Sequence, residues 1–172
     1  RIKRIRNQEI VLHNFEGINK WYVDDVIRDL SKLRLCIMQE PDVKYRRFFW
    51  VTFADIAKQA DNARTSTFKL HIKLEETIRE TEFDCVQKFE EKLCSNIKAV
   101  FEFKTLRHSG TTRIYCGNSK TIFNNRRSFA PNSVDLVITS PPYGDNATTI
   151  SYGQYSVLPL RWIPLADIGD TI

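Results

Sequence analysis

The residues best equipped for chemistry lie together at Ser140-Pro141-Pro142-Tyr143. The Ser140 hydroxyl and the Pro141 carbonyl are two hydrogen-bond acceptors, Pro142 stiffens the backbone that aims the second of them, and Tyr143 adds a flat aromatic face. A rigid pair of acceptors beside a ring suits a planar ligand that offers N–H groups, and rigidity matters where reacting atoms must be held at near-contact distance. A second small cluster, Gly117-Asn118-Ser119, joins a turn-forming glycine to two side chains that both donate and accept hydrogen bonds.

Both clusters fall where strands are expected to end. Val134 to Ile138 is an almost wholly apolar run, which suits a strand buried on both faces of a parallel sheet, and the two prolines stop it because neither can donate to a ladder. Arg113 to Cys116 reads as a shorter strand, with Gly117-Asn118-Ser119 as the turn at its end and Lys120 to Asn125 as a brief helical turn or loop. Pro131-Asn132-Ser133 leads into the second strand, and Gly144-Asp145-Asn146 turns the chain into the polar aromatic run Thr148 to Tyr155. Strand, turn, short crossover, strand and Pro-Pro corner match part of a Rossmann-like sheet, whose ligands bind at the carboxyl ends of the strands. The expected fold class is therefore α/β, with residues 106–172 as a partial Rossmann-like segment and residues 1–105 as a mainly helical one.

In the helical half, Val23, Val26, Ile27, Leu30, Leu33 and Ile37 recur at helical spacing between Lys20 and Met38, and Asp24 and Asp25 lie in the first turn where the dipole favours them. Pro41 and Asp42 end that helix and cap a second, in which Phe48, Phe49, Phe53, Ile56, Ala57 and Ala60 share a face. Asp61 to His71 is too irregular for either period and is read as a surface loop rich in groups that bind phosphate oxygens. A third helical region runs from Leu74 to Val100, with a break expected between Glu80 and Asp84 and with Glu75 and Arg79 placed to pair. The basic opening, Arg1, Lys3, Arg4 and Arg6, is read as a charged face, and Arg126-Arg127 as a solvated pair.

The 172 residues fall in the single-domain range, and 42% hydrophobic content allows a real core. Lys and Arg outnumber Asp and Glu by 26 to 21, a mildly basic balance that fits a polyanionic partner. Cys36, Cys85, Cys94 and Cys116 form no Cys-x-x-Cys pair, and His13, His71 and His108 lack zinc-ligand spacing, so thiols in a reducing compartment and no metal are expected. No apolar window reaches the length of a membrane span. The absence of an initiator Met, the opening in mid-pattern and the close after the apolar run Leu158 to Ile168 lead us to expect the interior of a longer protein.

The Thr139-Ser140-Pro141-Pro142-Tyr143 sequence resembles the catalytic motif of the DNA amino-methyltransferases, and its Ser-Pro-Pro-Tyr form resembles the cytosine-N4 branch. Gly117-Asn118-Ser119 resembles the Gly-Asp-Ser/Ala turn beside the cofactor adenine in those enzymes, with Asn118 where Asp is usual. The helical block with its Arg64 to His71 run is also similar to modification methylases. The resemblance implies methyl transfer from S-adenosylmethionine to the exocyclic amine of a base flipped out of double-stranded DNA, in a cytoplasmic restriction-modification or stand-alone modification system. It implies that Ser140 and the Pro141 carbonyl polarise the amine, that Pro142 stiffens the corner and that Tyr143 holds the base, while Gly117, Asn118 and Ser119 contact the cofactor.

The chemistry is consistent with that resemblance. An amine conjugated to a base ring is a poor nucleophile, because its lone pair is delocalised; acceptors aimed at its N–H groups draw the nitrogen toward a tetrahedral, nucleophilic form. The glycine-rich loop that receives the methionine end of the cofactor is missing, since all six glycines are isolated, and we expect it outside residues 1–172, before Arg1 in preference to after Ile172. The chain alone is thus expected to bind cofactor weakly and not to turn over. Adenine-N6, RNA or a protein glutamine amide are the alternative acceptors, and a non-catalytic DNA-binding helical module is the alternative of a different class.

Overall fold

Helices carry the architecture. The computed structural model describes residues 10–64, 70–106, 110–115, 118, 121, 130–139 and 152–168. Among these, seven helices are formed: α1 (Ile18–Trp21), α2 (Asp24–Met38), α3 (Val43–Gln59), α4 (Glu75–Glu80), α5 (Cys85–Thr105), α6 (Tyr152–Leu160) and α7 (Leu165–Ile168). The chain groups into two units, one of residues 1–106 with 150–168 and the other of 107–149 with 169–172.

Local chemistry explains where the helices of the first unit begin. Gly17, at φ 78°, is in the left-handed region that glycine enters without a Cβ penalty, and it precedes α1 directly. The Asp42 carboxylate accepts from the Lys44 N–H at 2.8 Å at the start of α3, and Asp84 accepts from the Gln87 N–H at 2.8 Å at the start of α5. The break expected between Glu80 and Asp84 is present, and the Arg79 guanidinium pairs with Glu75 at 3.0 Å.

The core forms where α2, α3, α5 and α6 meet. Val26, Ile27, Leu30, Leu33 and Ile37 of α2 pack against Trp50, Phe53, Ile56 and Ala57 of α3, Cys85, Val86 and Phe89 of α5, and Leu158 with Trp162 from the far end of the chain. Trp162 is wholly buried, and Phe15, Tyr22 and Phe53 meet it edge-on at centroid distances of 5.7, 5.4 and 6.1 Å, the geometry that ring quadrupoles favour. Burial pushes the Cys85 thiol up to about 12, so this cysteine is an inert core residue.

The expected α/β, partly Rossmann-like fold is not the fold observed. Among the described residues no strand is present, and the one β-type contact is an isolated antiparallel bridge between Ala63 and Ile72. Val134 to Thr139 is irregular, with Leu136 at 75%, Val137 at 73% and Ile138 at 88% exposure, and Ile114 of the other expected strand is 92% exposed. Residues on both alternate faces are open to solvent, and among the described residues neither a flanking ladder nor a covering helix is supplied to these runs. A strand exists only through such pairing and burial, which is why β-branched composition alone did not make one. The polar aromatic run ending at Tyr155 likewise continues as helix α6, which carries Pro159 inside it, in its last turn. No helix among the described residues is long and apolar enough to cross a membrane.

Candidate functional site

Ser140, Pro141, Pro142 and Tyr143 lie outside the described residues, as do Gly117, Ser119, Cys116 and the Arg126-Arg127 pair. The described residues around them show how the chain approaches each cluster. Asn118 is exposed and opens a turn, its carbonyl accepting from the Thr121 N–H at 3.0 Å and from the Thr121 hydroxyl at 3.3 Å. A chain reversal at a solvent-accessible amide side chain suits contact with a polar ligand group. Ahead of the Ser140 corner, Asn132 adopts φ 59° after Pro131, and the Ser133 hydroxyl donates to the Ala130 carbonyl at 2.7 Å. Proline followed by a left-handed Asn is a turn with a stated mechanism, so the loop expected before Val134 is present although the strand is not.

The stretch that follows the corner in sequence is held firmly by the helical unit. Arg46 grips Asp167 with two nitrogens, Nη2 to Oδ1 at 2.7 Å and Nε to Oδ2 at 2.9 Å, while Trp50 Nε1 donates to Oδ2 at 2.8 Å and Arg47 Nε donates to the Asp167 carbonyl at 2.8 Å. The Arg46 guanidinium, with the Trp50 indole, holds the Asp167 carboxyl below its ordinary value against the opposing effect of burial. Arg34 Nε donates to the Trp162 carbonyl at 2.8 Å, Arg161 donates to the Glu16 carbonyl at 2.8 Å, and the Arg161 carbonyl lies 3.0 Å from His13 Nε2. Burial keeps the His13 imidazole below its usual range, the neutral ring that a carbonyl partner needs only as a donor.

A second constellation surrounds Asp61 and Asn62, the corner between α3 and α4. Asp61 is 2% exposed, and its carboxylate accepts from Lys58 Nζ at 2.7 Å and from the Ala63 N–H at 3.0 Å. Burial still raises its pKa above the ordinary value, outweighing Lys58. The Asn62 N–H donates to the Trp21 carbonyl at 2.8 Å, the Lys73 N–H donates to the Asn62 carbonyl at 2.7 Å, and Lys73 Nζ donates to the Asp61 carbonyl at 2.8 Å. Gln154 of α6 joins this corner by accepting from the Leu70 N–H at 3.3 Å.

Sequence reading had not singled out Trp50, Trp162, Asp167 or Asp61. Trp50, Trp162 and Asp167 act through partners remote in sequence, 117 positions in the case of Trp50 and Asp167, so no local spacing could have revealed them, whereas Asp61 pairs locally with Lys58 and the Ala63 N–H and its burial is what the sequence did not show. The one available signal was that Asp167 is the single acid in the largely apolar run Leu158 to Ile168. Among the described residues no group of three or more His, Cys, Asp or Glu could hold a metal ion.

The chain is similar to Type II methyltransferase M.MvaI of Kocuria varians, with 29% identity over 167 residues, covering 93% of this chain and 36% of that protein. The chain thus spans about a third of the length of the curated relative it matches. The likeness supports a methyltransferase relationship in general terms. No family profile matches the chain, and no solved structure matches it.

Proposed function

We propose that this chain is part of a DNA methyltransferase that acts on the exocyclic amine of a base, with cytosine-N4 as the acceptor. The observation that carries the reading is the 29% identity to a Type II methyltransferase across 93% of the chain, a stretch that includes the helical flank and the Ser-Pro-Pro-Tyr sequence. In this reading residues 1–105 form a helical flank and residues 106–172 carry the catalytic motif.

The roles follow from the chemistry of the amine. The Ser140 hydroxyl and the Pro141 carbonyl accept hydrogen bonds from the two amine N–H groups, so that the nitrogen lone pair is withdrawn from the ring and made available for attack. Pro142 limits backbone motion at the corner, and Tyr143 stacks on the extruded base. S-adenosylmethionine, when bound, supplies an electrophilic methyl group; Gly117, Asn118 and Ser119 would hold its adenosine end, and the exposed turn at Asn118 is compatible with that contact.

Mass analysis of nucleosides from DNA treated with the full-length protein and S-adenosylmethionine tests the acceptor. N4-methylcytosine is expected. N6-methyladenine would move the assignment to the adenine branch, and unmodified DNA would refute the enzymatic reading.

A further inference from the structure

The corner at Asp61-Asn62-Ala63 gathers cationic and aromatic side chains from four stretches of the chain. Lys20 sits over the Trp21 ring at 5.0 Å, Lys58 sits over the Tyr155 ring at 4.8 Å, and the backbone bond from Asn62 to Trp21 ties the first pair to the corner at 2.8 Å. Arg64 donates its backbone N–H to the His71 carbonyl at 2.7 Å and its Nε to the Ile72 carbonyl at 3.0 Å, so the guanidinium is exposed yet fixed in orientation. Lys73 is anchored on the Asp61 carbonyl, and Gln154 on Leu70. The carboxylate at the centre, Asp61, is sunk beneath the surface and bonded to Lys58 and to the Ala63 N–H.

We infer that this surface, with Lys20 and Arg64 as its exposed cations, binds the phosphate backbone of double-stranded DNA. The inference rests on the methyltransferase reading for the identity of the polyanion, and on the geometry for its location. Cations already held by aromatic rings and backbone carbonyls lose little freedom when a phosphate arrives, so each contact retains its gain from counterion release. Arginine held by Nε keeps its terminal nitrogens in a plane that matches two phosphate oxygens.

The test is the salt dependence of binding to a random-sequence duplex, measured by fluorescence anisotropy for the wild-type chain and for the double variant Lys20→Gln with Arg64→Gln. The double variant is expected to bind at least about tenfold more weakly at low salt, and the slope of log affinity against log salt should flatten by about 2, one for each phosphate contact removed. The charge-conserving pair Lys20→Arg with Arg64→Lys should keep the wild-type slope, which separates lost charge from lost fold. The pair Lys98→Gln with Lys104→Gln, which removes two exposed cations from α5, should leave the slope unchanged. An unaltered slope in the first double variant, or an equal flattening in the α5 pair, would overturn the proposal. Because binding is read and not methyl transfer, absence of activity would sink the enzymatic reading while this surface stood.

Discussion

The indole of Trp50 donates to the carboxylate of Asp167 at 2.8 Å across 117 positions of sequence, and Arg46 grips that carboxylate from the neighbouring turn of α3. The pair fastens the last described helix to the third. Trp50→Phe removes the donor while keeping most of the ring, and should cost about 1.5–3 kcal/mol, the worth of a hydrogen bond to a charged group. Urea titration followed by circular dichroism measures it; an unchanged midpoint would mean that the indole N–H contributes nothing to the fastening.

Asp167 and Asp61 should respond to pH in opposite senses. The Arg46 bond depresses the folded pKa of Asp167, so its contribution to stability is present above the ordinary Asp value of about 3.9 and is lost as pH falls through the lower folded value. Burial raises the folded pKa of Asp61, so its contribution is present below about 3.9 and is lost as pH rises through the higher folded value. From pH 3 to pH 7 the melting temperature of Asp167→Asn should drop progressively relative to wild type, whereas that of Asp61→Asn should rise relative to it. Parallel trends in the two variants would contradict this assignment.

Tyr22 and Trp162 pack edge-on in the core with their hydroxyl and indole N–H sealed from solvent; the two groups neighbour one another, and neither makes a hydrogen bond of ordinary geometry among the described residues. Tyr22→Phe, which removes a hydroxyl that lacks a hydrogen bond of ordinary geometry and leaves the ring, should be neutral or stabilising by up to about 1 kcal/mol. Trp162→Ala, which empties the centre of the aromatic cluster, should cost about 3–5 kcal/mol. Equilibrium denaturation of both variants decides the matter; a costly Tyr22→Phe would reveal a partner for the hydroxyl.

Gly17 holds φ 78° at the entry to α1, with the Trp21 ring 4.0 Å from where a Cβ would stand. Space is adequate, so the penalty of Gly17→Ala is conformational and should be about 1–2 kcal/mol. A melting temperature equal to wild type would show that the turn relaxes to negative φ.

The helical unit was legible wherever the chain specified its own structure locally. Val26, Ile27, Leu30, Leu33 and Ile37 revealed α2 by spacing, Asp42 revealed the start of α3 by its capping carboxylate, and the Glu80 to Asp84 break was visible in the lapse of apolar period. Ile97 and Val100, which continue the helical spacing of Val86, Phe89 and Leu93, are nonetheless exposed, because α5 extends past the helices that bury its first turns. Val134 to Ile138 failed for the same reason in stronger form. A helix satisfies its own backbone, but a strand depends on neighbours, and apolar composition says nothing of whether they are present. The Ser140 to Tyr143 corner rests on motif and chemistry and lies outside the described residues, whereas Asp167 and Trp162 could be found only from the fold.

In the proposed function the Ser140 hydroxyl takes part in methyl transfer to a base amine. The direct measurement is transfer of labelled methyl from S-adenosylmethionine to duplex DNA by the full-length protein and by its Ser140→Ala variant, with cofactor affinity followed in parallel. Methylation is expected to fall by at least about a hundredfold, the loss typical of one well-placed stabilising group, while cofactor affinity stays within about twofold. Methylation at a near-normal rate in Ser140→Ala would contradict it.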